Sequence, residues 1–238
     1  KTTYPRQEDI VFSGKVNNGE ITVPIALSPS VVDQDDDFNL VGNPYPSAIS
    51  ADEFIIANIN SPSNTGPYKT IEGTLYFWTH IGDISKDIVG PYALNYSTDD
   101  YAVYTLAGGV GTGGNLVAGV RQNSNKPTGY IASGQGFFVE ADKAGTLLFN
   151  NAMRVGTETK NNNFYKLQSD TKKTASSVKD RIWLNLENTS NMFSQQLIGY
   201  FDTATMGYDK GYDGPFSDAG NYINFYSFID TNTYKIQG

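Results

Sequence analysis

Cysteine is absent from this chain, which excludes disulfides, thiolate metal sites and a cysteine nucleophile. The single histidine, His80, excludes a multi-histidine metal site. No apolar run approaches the roughly 20 residues that a membrane-spanning helix needs. With 17 Lys and Arg against 25 Asp and Glu, the formal net charge is −8, so the chain repels phosphate backbones. We therefore expect neither a membrane span nor a nucleic-acid partner.

Aromatic residues, glycine and proline are abundant instead. The 238 residues include 16 Tyr, 13 Phe and 2 Trp, with 24 Gly and 10 Pro, and 39% of the chain is hydrophobic. Aromatic residues favour β-strands, whereas glycine and proline favour the tight turns between strands. The composition therefore predicts an all-β protein of antiparallel β-sandwich modules, jelly-roll or immunoglobulin-like, with one short helix.

Alternating hydrophobic and polar residues indicate strands along most of the chain. The predicted strands are 9–16, 20–27, 37–43, 73–80, 100–106, 129–141, 145–151, 181–188, 195–201, 222–229 and 234–237. Asn18-Gly19 separates the first two and predicts a hairpin, because this pair is typical of two-residue turns. The helix is predicted over 47–58, where Ser50 can cap the first turn and Glu53 follows three positions later.

A polar stretch at 156–180 divides the pattern into two parts. Such a composition is typical of a junction between modules. We predict a first β-sandwich module over residues 1–160 and a second over residues 161–238. The second is small for a sandwich, and we expect it to be incomplete at its C-terminal end.

Several long motifs occur in an order that resembles one protein family. FNLVGNPYPSAI, GTLYFWTH, DYAVYTLAGGVG, PTGYIASGQGFFVEA and FNNAMRV follow one another from residue 38, and DRIWLNLENTSNMFSQQLIGYFDTATMGYDKGYDGPF begins at residue 180. This order resembles the region of large surface or secreted proteins of Flavobacterium-type Bacteroidota that precedes the type IX secretion C-terminal sorting domain. The resemblance implies secretion or display at the outer-membrane surface, with the type IX secretion machinery as a partner of the parent protein.

Catalytic patterns are weak in this sequence. GVGTGG at 109–114 matches the dinucleotide-binding fingerprint, but the residues after it do not predict the helix that the fingerprint must open. Four glutamates are candidates for the carboxyl pair of a glycosidase: Glu53, Glu72, Glu140 and Glu187. Such a pair needs two carboxyls roughly 5–10 Å apart, and no local motif pairs them. We therefore predict that the protein is not an enzyme.

Aromatic side chains are the strongest indication of a ligand site. Trp and Tyr stack on sugar rings and anchor protein interfaces. Tyr76 and Trp78 share one face of the predicted strand 73–80, and Trp183 is predicted on the outer face of the strand 181–188. Core packing is the more usual role for any one of them, and if the chain binds a ligand these three are the predicted binding residues for glycans or surface proteins.

An acidic, glycine-rich segment offers oxygen ligands for a structural calcium ion. Its carboxylates are Asp202, Asp209, Asp213 and Asp218, within FDTATMGYDKGYDGPFSDAGN. Calcium takes several carboxylate and carbonyl oxygens from turn-rich loops, although this spacing differs from the EF-hand. The alternative is that the carboxylates accept hydrogen bonds from their own backbone.

The expected function is a non-catalytic module of a large type IX-secreted protein, serving adhesion or surface presentation. One alternative is a carbohydrate-binding accessory module of a polysaccharide-degrading enzyme. The other is a structural spacer next to the sorting domain. A carbohydrate module needs accessible aromatic side chains, whereas a spacer needs none.

Overall fold

The computed structural model describes residues 11–29, 37–79, 86, 92–95, 100–112, 116–117, 120–121, 126–156, 180–188, 193–217 and 223–238. The strands are β1 (Ile21–Ile25), β2 (Phe38–Gly42), β3 (Ile49–Ser50), β4 (Ile71–Trp78), β5 (Tyr101–Thr105), β6 (Gly108–Val110), β7 (Leu116–Val117), β8 (Val120–Arg121), β9 (Tyr130–Ile131), β10 (Gly136–Ala141), β11 (Gly145–Phe149), β12 (Asp180–Glu187), β13 (Phe193–Tyr200), β14 (Gly214–Pro215), β15 (Ser227–Ile229) and β16 (Asn232–Gln237). The helix α1 spans Ala51–Asn58, and a 3-10 turn spans Asn151–Met153.

A five-stranded antiparallel sheet, which we call the first sheet, organises the fold. Its strand order is β2-β10-β4-β5-β6. Helix α1 and the antiparallel pair β1-β11 cover one face of it and enclose the first core. At the centre, Phe54 of α1 packs against Phe137 of β10 and Phe149 of β11, with ring centroids 5.2 and 5.0 Å apart. All three rings are buried, so this core is closed to solvent.

The C-terminal strands form a second sheet on the other face. Its order is β12-β13-β16-β14, and β15 pairs with β16. Strands β13, β14 and β16 contact β5 and β6. A second core lies between the sheets and joins Val103, Ala107 and Val110 to Leu197 and Ile236. The two sheets form a β-sandwich, which confirms the all-β prediction; α1 is the one α-helix in the described ranges.

The C-terminal strands therefore share a core with the N-terminal part of the chain. The predicted module boundary at residue 160 falls within 157–179, outside the described residues, and stays a prediction. As to membranes, the described ranges hold no helix with the length and apolar character that crossing a bilayer requires.

The motifs FNLVGNPYPSAI and PTGYIASGQGFFVEA lie side by side in the structure, because β2 pairs with β10 and β3 pairs with β9. Asn43, just after β2, links them. Its Nδ2 donates to the carbonyl oxygens of Ile131 and Ala132 at 3.0 and 3.1 Å, and its Oδ1 accepts from the N–H of Tyr45 at 3.0 Å. Both Asn43 and Tyr45 are buried, so the Asn-Pro-Tyr-Pro turn has a structural role.

The helix prediction is confirmed with a later start. The Ser50 hydroxyl accepts a hydrogen bond from the N–H of Glu53 at 3.3 Å, which is the cap that the sequence predicted. Helix α1 ends at Asn58, whose side chain donates to the carbonyl oxygens of Phe54 and Leu148 at 2.9 Å each. These bonds fasten the last turn of the helix to β11.

The predicted hairpin at Asn18-Gly19 is wrong. Strand β1 pairs with β11, and residues 11–16 are not a strand. The Asn18 side chain instead accepts a hydrogen bond from Arg154, and the N–H of Gly19 donates to Asn151. Residues 11–16 pair with no strand in the described part of the chain, so their alternation alone did not produce a strand. Similarly, only the final three residues of the predicted strand 222–229 form a strand among those described, 223–229.

Candidate functional site

A cavity of about 240 Å³ opens between the two sheets. Six aromatic rings line it, namely Phe38, Tyr76, Tyr101, Phe138, Phe193 and Phe216. It reaches solvent beside β2, where Phe38 is 39% exposed. Since one water needs only about 10–15 Å³ of such volume, the cavity has room for a ring-sized group. We call it the aromatic cavity.

Strand alternation places the rings of the first sheet in the aromatic cavity. Along β4, Leu75 points into the first core, so Tyr76 points to the opposite face. Along β10, Val139 lies in the first core and Phe138 on the opposite face. Phe138 pairs with Tyr76, and Tyr76 pairs with Val103 of β5. The result is a row of side chains that crosses three strands and forms the cavity floor.

Contacts between the rings hold the cavity walls in place. Phe38 and Tyr76 meet edge to face, with ring centroids 5.3 Å apart at 72°. Tyr101 and Phe138 do the same at 5.9 Å and 75°. This arrangement is the one that aromatic pairs prefer. Burial raises the pKa of Tyr76 and Tyr101, so both phenols stay protonated and can donate hydrogen bonds.

A positive charge also lies at the aromatic cavity. Lys235 Nζ donates to Ser194 Oγ at 2.6 Å and lies 5.4 Å from the ring centroid of Phe216. An apolar cavity with a few placed polar groups is the usual form of a small-ligand site. The arrangement can therefore bind a ring and orient its polar substituents.

The predicted ligand residues of β4 lie at or beside the aromatic cavity. Tyr76 lines it. Trp78 is the next residue on the same face, is 46% exposed, and pairs with Tyr101, which is a lining residue. Trp78 can thus extend the aromatic surface outward from the cavity.

Trp183 lies elsewhere, and its predicted outward orientation is wrong. Its Nε1 donates to the carbonyl oxygen of Gly109 at 3.0 Å, and Lys126 Nζ lies 3.3 Å from the ring centroid. The ring packs against the second core. On the other face of β12, Ile182 and Leu184 are 48% and 39% exposed. Alternation predicts two faces of a strand but does not identify the one that another sheet covers.

The acidic segment is only partly assembled. Asp202 is exposed, and Asp218 lies outside the described residues. Asp209 accepts hydrogen bonds from the N–H and hydroxyl of Thr205. Asp213 is fully buried and accepts from the N–H groups of Asp209 and Gly238, each at less than 3 Å.

These bonds use all four carboxylate oxygens of Asp209 and Asp213 to hold the loop. The contacts are of the kind that the backbone-bonding alternative describes. In the described part of the chain, no three acidic or histidine side chains converge as a metal site would require. Calcium binding stays a prediction. His80, the single histidine of the sequence, is outside the described residues.

A charged cluster joins the segment between β13 and β14 to the first sheet. The sequence alone did not predict this cluster. Lys210 Nζ lies 2.5 Å from Asp142 Oδ1 and 2.9 Å from Glu72 Oε1. Asn60 Nδ2 donates to Asp142 Oδ2, and the Tyr208 hydroxyl donates to Glu72 Oε2 at 3.0 Å. We call these five residues the lysine cluster.

The protonation states of the lysine cluster follow from burial and hydrogen bonding. Burial and a hydrogen bond with Asp142 raise the pKa of Glu72. Burial alone would raise the pKa of Asp142, but its hydrogen bonds with Glu72, Asn60 and Lys210 lower it to about 2. Burial alone would lower the pKa of Lys210, but its bonds to the two carboxyls raise it. The resting pair is therefore an ammonium and the Asp142 carboxylate, and the pKa of Glu72 lies above its ordinary value.

Glu140 lies between the lysine cluster and the aromatic cavity. It pairs across β2 and β10 with Phe38. Burial, and then the negative charge of Glu72, raise the pKa of Glu140 to about 7. Among the described residues, no side chain donates a hydrogen bond to its carboxylate. Glu72 is thus close enough to Glu140 for its charge to raise the pKa of Glu140. The sequence did not reveal this proximity, because the order of β2, β10 and β4 in the sheet could not be predicted from it.

Comparison with known proteins gives a family and no named relative. No curated protein and no solved structure matches the chain. One family model, described as a domain of unknown function (DUF8693), matches residues 1–238. Because the match covers the whole chain, this protein belongs to the DUF8693 family.

Proposed function

We propose that this domain is a non-catalytic binding module whose aromatic cavity receives one sugar ring of a glycan. The observation that carries the proposal is the set of six rings around a solvent-connected cavity of about 240 Å³. Apolar faces of sugar rings stack on aromatic side chains, and tyrosine hydroxyls and an ammonium supply hydrogen bonds to the ring substituents. The exposed indole of Trp78, beside the cavity, can contact a second ring.

Within a larger protein, such a module would serve adhesion at the cell surface or recruit a polysaccharide. The motif order that resembles type IX-secreted proteins supports a secreted or outer-membrane location, and the absence of cysteine is compatible with it. The same cavity favours these roles over a spacer, because a spacer needs no accessible aromatic side chains.

The test is binding of the chain to a broad panel of polysaccharides and oligosaccharides. We expect saturable binding to at least one glycan class, and at least a tenfold loss of affinity in Phe38→Ala. Phe38 is the best probe because its partial exposure limits the cost to folding. Tyr200→Ala is the matched control, since Tyr200 is 62% exposed and does not line the cavity.

Two results would count against this function. One is the absence of binding across the panel by a folded chain. The other is binding that Phe38→Ala and Tyr200→Ala weaken equally, because that would place the glycan on a different surface.

A further inference from the structure

We propose that Lys210 and Asp142 become joined by an intramolecular amide bond between Lys210 Nζ and Asp142 Cγ, with loss of one water and with Glu72 transferring the protons. The modification is independent of the proposed glycan binding. It makes the lysine cluster a covalent link between the segment before β14 and the end of β10.

The geometry places the nucleophile, the electrophile and a proton carrier together. Lys210 Nζ is 2.5 Å from Asp142 Oδ1, within reach of the carbon that carries it. Glu72 Oε1 is 2.9 Å from the same nitrogen and can take a proton from it. The other oxygen, Asp142 Oδ2, accepts a hydrogen bond from Asn60 Nδ2. The two oxygens of Asp142 therefore have different environments.

That difference assigns each oxygen a role in the reaction. Lys210 first gives a proton to Glu72, Glu72 passes it to Asp142 Oδ1, and the neutral amine attacks Cγ of the resulting carboxylic acid to form the C–N bond. Negative charge then develops on Oδ2, where the Asn60 donor stabilises it. Glu72 then carries the second proton from the nitrogen to Oδ1, the C–Oδ1 bond breaks, and Oδ1 leaves as water. One ammonium and one carboxylate yield one neutral amide and one water, with no other reactant.

The resting ion pair slows this reaction without preventing it. Only the neutral amine attacks, and the pKa of Lys210 is raised, so the reactive fraction is small near neutral pH. Positioning of the two groups compensates, because well-oriented intramolecular reactions reach effective concentrations of about 10⁵–10⁸ M. Each molecule also needs to react only once. The reaction should accelerate with pH, because a higher pH increases the fraction of neutral amine.

Partial burial limits the access of water to Lys210 and Asp142. The side chains of Lys210 and Asp142 are 28% and 18% exposed. The joined residues are 68 positions apart in the chain; Asp142 directly follows β10 of the first sheet, and Lys210 lies between β13 and β14 of the second. A covalent link over such a span restricts the unfolded chain much as a disulfide does, and this chain has no cysteine to form one.

The test is the intact mass of the full chain after incubation at mildly alkaline pH, followed by tandem mass spectrometry of a tryptic digest. We expect a mass one water below that of the sequence, and a branched peptide that contains both Asp142 and Lys210. Lys143→Arg is the matched control and should keep the water loss, because Lys143 adjoins Asp142 but is exposed. Lys210→Arg keeps the positive charge and should restore the full mass.

Two further variants separate the reaction from folding. Glu72→Gln should keep the far-ultraviolet circular dichroism of the unchanged chain but lose water at least tenfold more slowly. Asp142→Asn should lose one ammonia in place of one water. The proposal is overturned if the unchanged chain keeps the full mass of its sequence. It is also overturned if the water loss persists in Lys210→Arg, because Asp142 alone would then account for it.

Discussion

Replacing Glu140 by Gln should remove the loss of stability that ionisation of this residue causes at alkaline pH. Glu140 has a pKa of about 7 in the folded chain, raised from its ordinary 4.5 by burial and by the charge of Glu72. A group whose pKa is raised by folding stabilises the fold fully below its unfolded pKa, and that contribution is lost as pH rises through the folded value. The unchanged chain should therefore lose stability between about pH 5 and about pH 8 through this residue.

The size of the effect follows from the same shift. A change from 4.5 to about 7 corresponds to about 3 kcal/mol at most. Because the side chain is only partly buried, screening by solvent reduces this to about 1–3 kcal/mol. Glutamine has nearly the same shape and cannot ionise, so Glu140→Gln should be more stable than the unchanged chain by that amount at about pH 8.

The assay is urea unfolding at about pH 5 and about pH 8, followed by tryptophan fluorescence. Comparing two variants at one pH removes the contribution of the other titrating groups. Near pH 5, the Glu140→Gln variant and the unchanged chain should differ by less than about 1 kcal/mol. Glu187→Gln is the control, because Glu187 is exposed on β12 and its replacement should change the free energy of unfolding by less than about 0.5 kcal/mol. Equal stability of Glu140→Gln and the unchanged chain at the higher pH would refute the reasoning.

Further predictions concern folding and ligand choice. Gly73→Ala should cost about 2–5 kcal/mol, because Gly73 has a φ of +99° and its added Cβ would lie 2.7 Å from Gly211 Cα. Gly156→Ala, which meets no atom within 4 Å, should be near neutral by urea unfolding. Asn43→Ala should cost about 2–4 kcal/mol in the same assay, because it removes the hydrogen bonds from the buried Asn43 amide to the carbonyl oxygens of Ser47, Ile131 and Ala132. Lys235→Gln should reduce the affinity for acidic glycans about tenfold more than the affinity for neutral glycans in equilibrium titrations. Equal losses of affinity would contradict a contact between Lys235 and a negative charge of the glycan.

Local patterns predicted much of the fold. The Ser50 cap and the alternation around Tyr76 are short-range features, and the structure bears both out. The Asn18-Gly19 hairpin failed because a turn signal needs two strands that pair, and β1 finds its partner in β11 instead. Long-range pairing was the missing information.

The candidate site depended on that missing information. Tyr76 was identified from the sequence, but Phe38 and Phe138 join it only because β2, β10 and β4 are neighbours in the first sheet. The contact of Lys210 with Asp142 likewise spans 68 positions in the chain and has no local signal. For Trp183, the strand was predicted correctly, but the sequence did not show which face of that strand packs against the other sheet.

The most direct test of the aromatic cavity is a nuclear magnetic resonance titration of the aromatic side chains with the glycan that binds best in the panel. The account predicts that the largest shifts fall on Phe38, Tyr76 and Phe138, while the ring of Trp183 stays unchanged. Shifts centred on Trp183 or on the exposed face of β12, with the cavity rings unaffected, would contradict it.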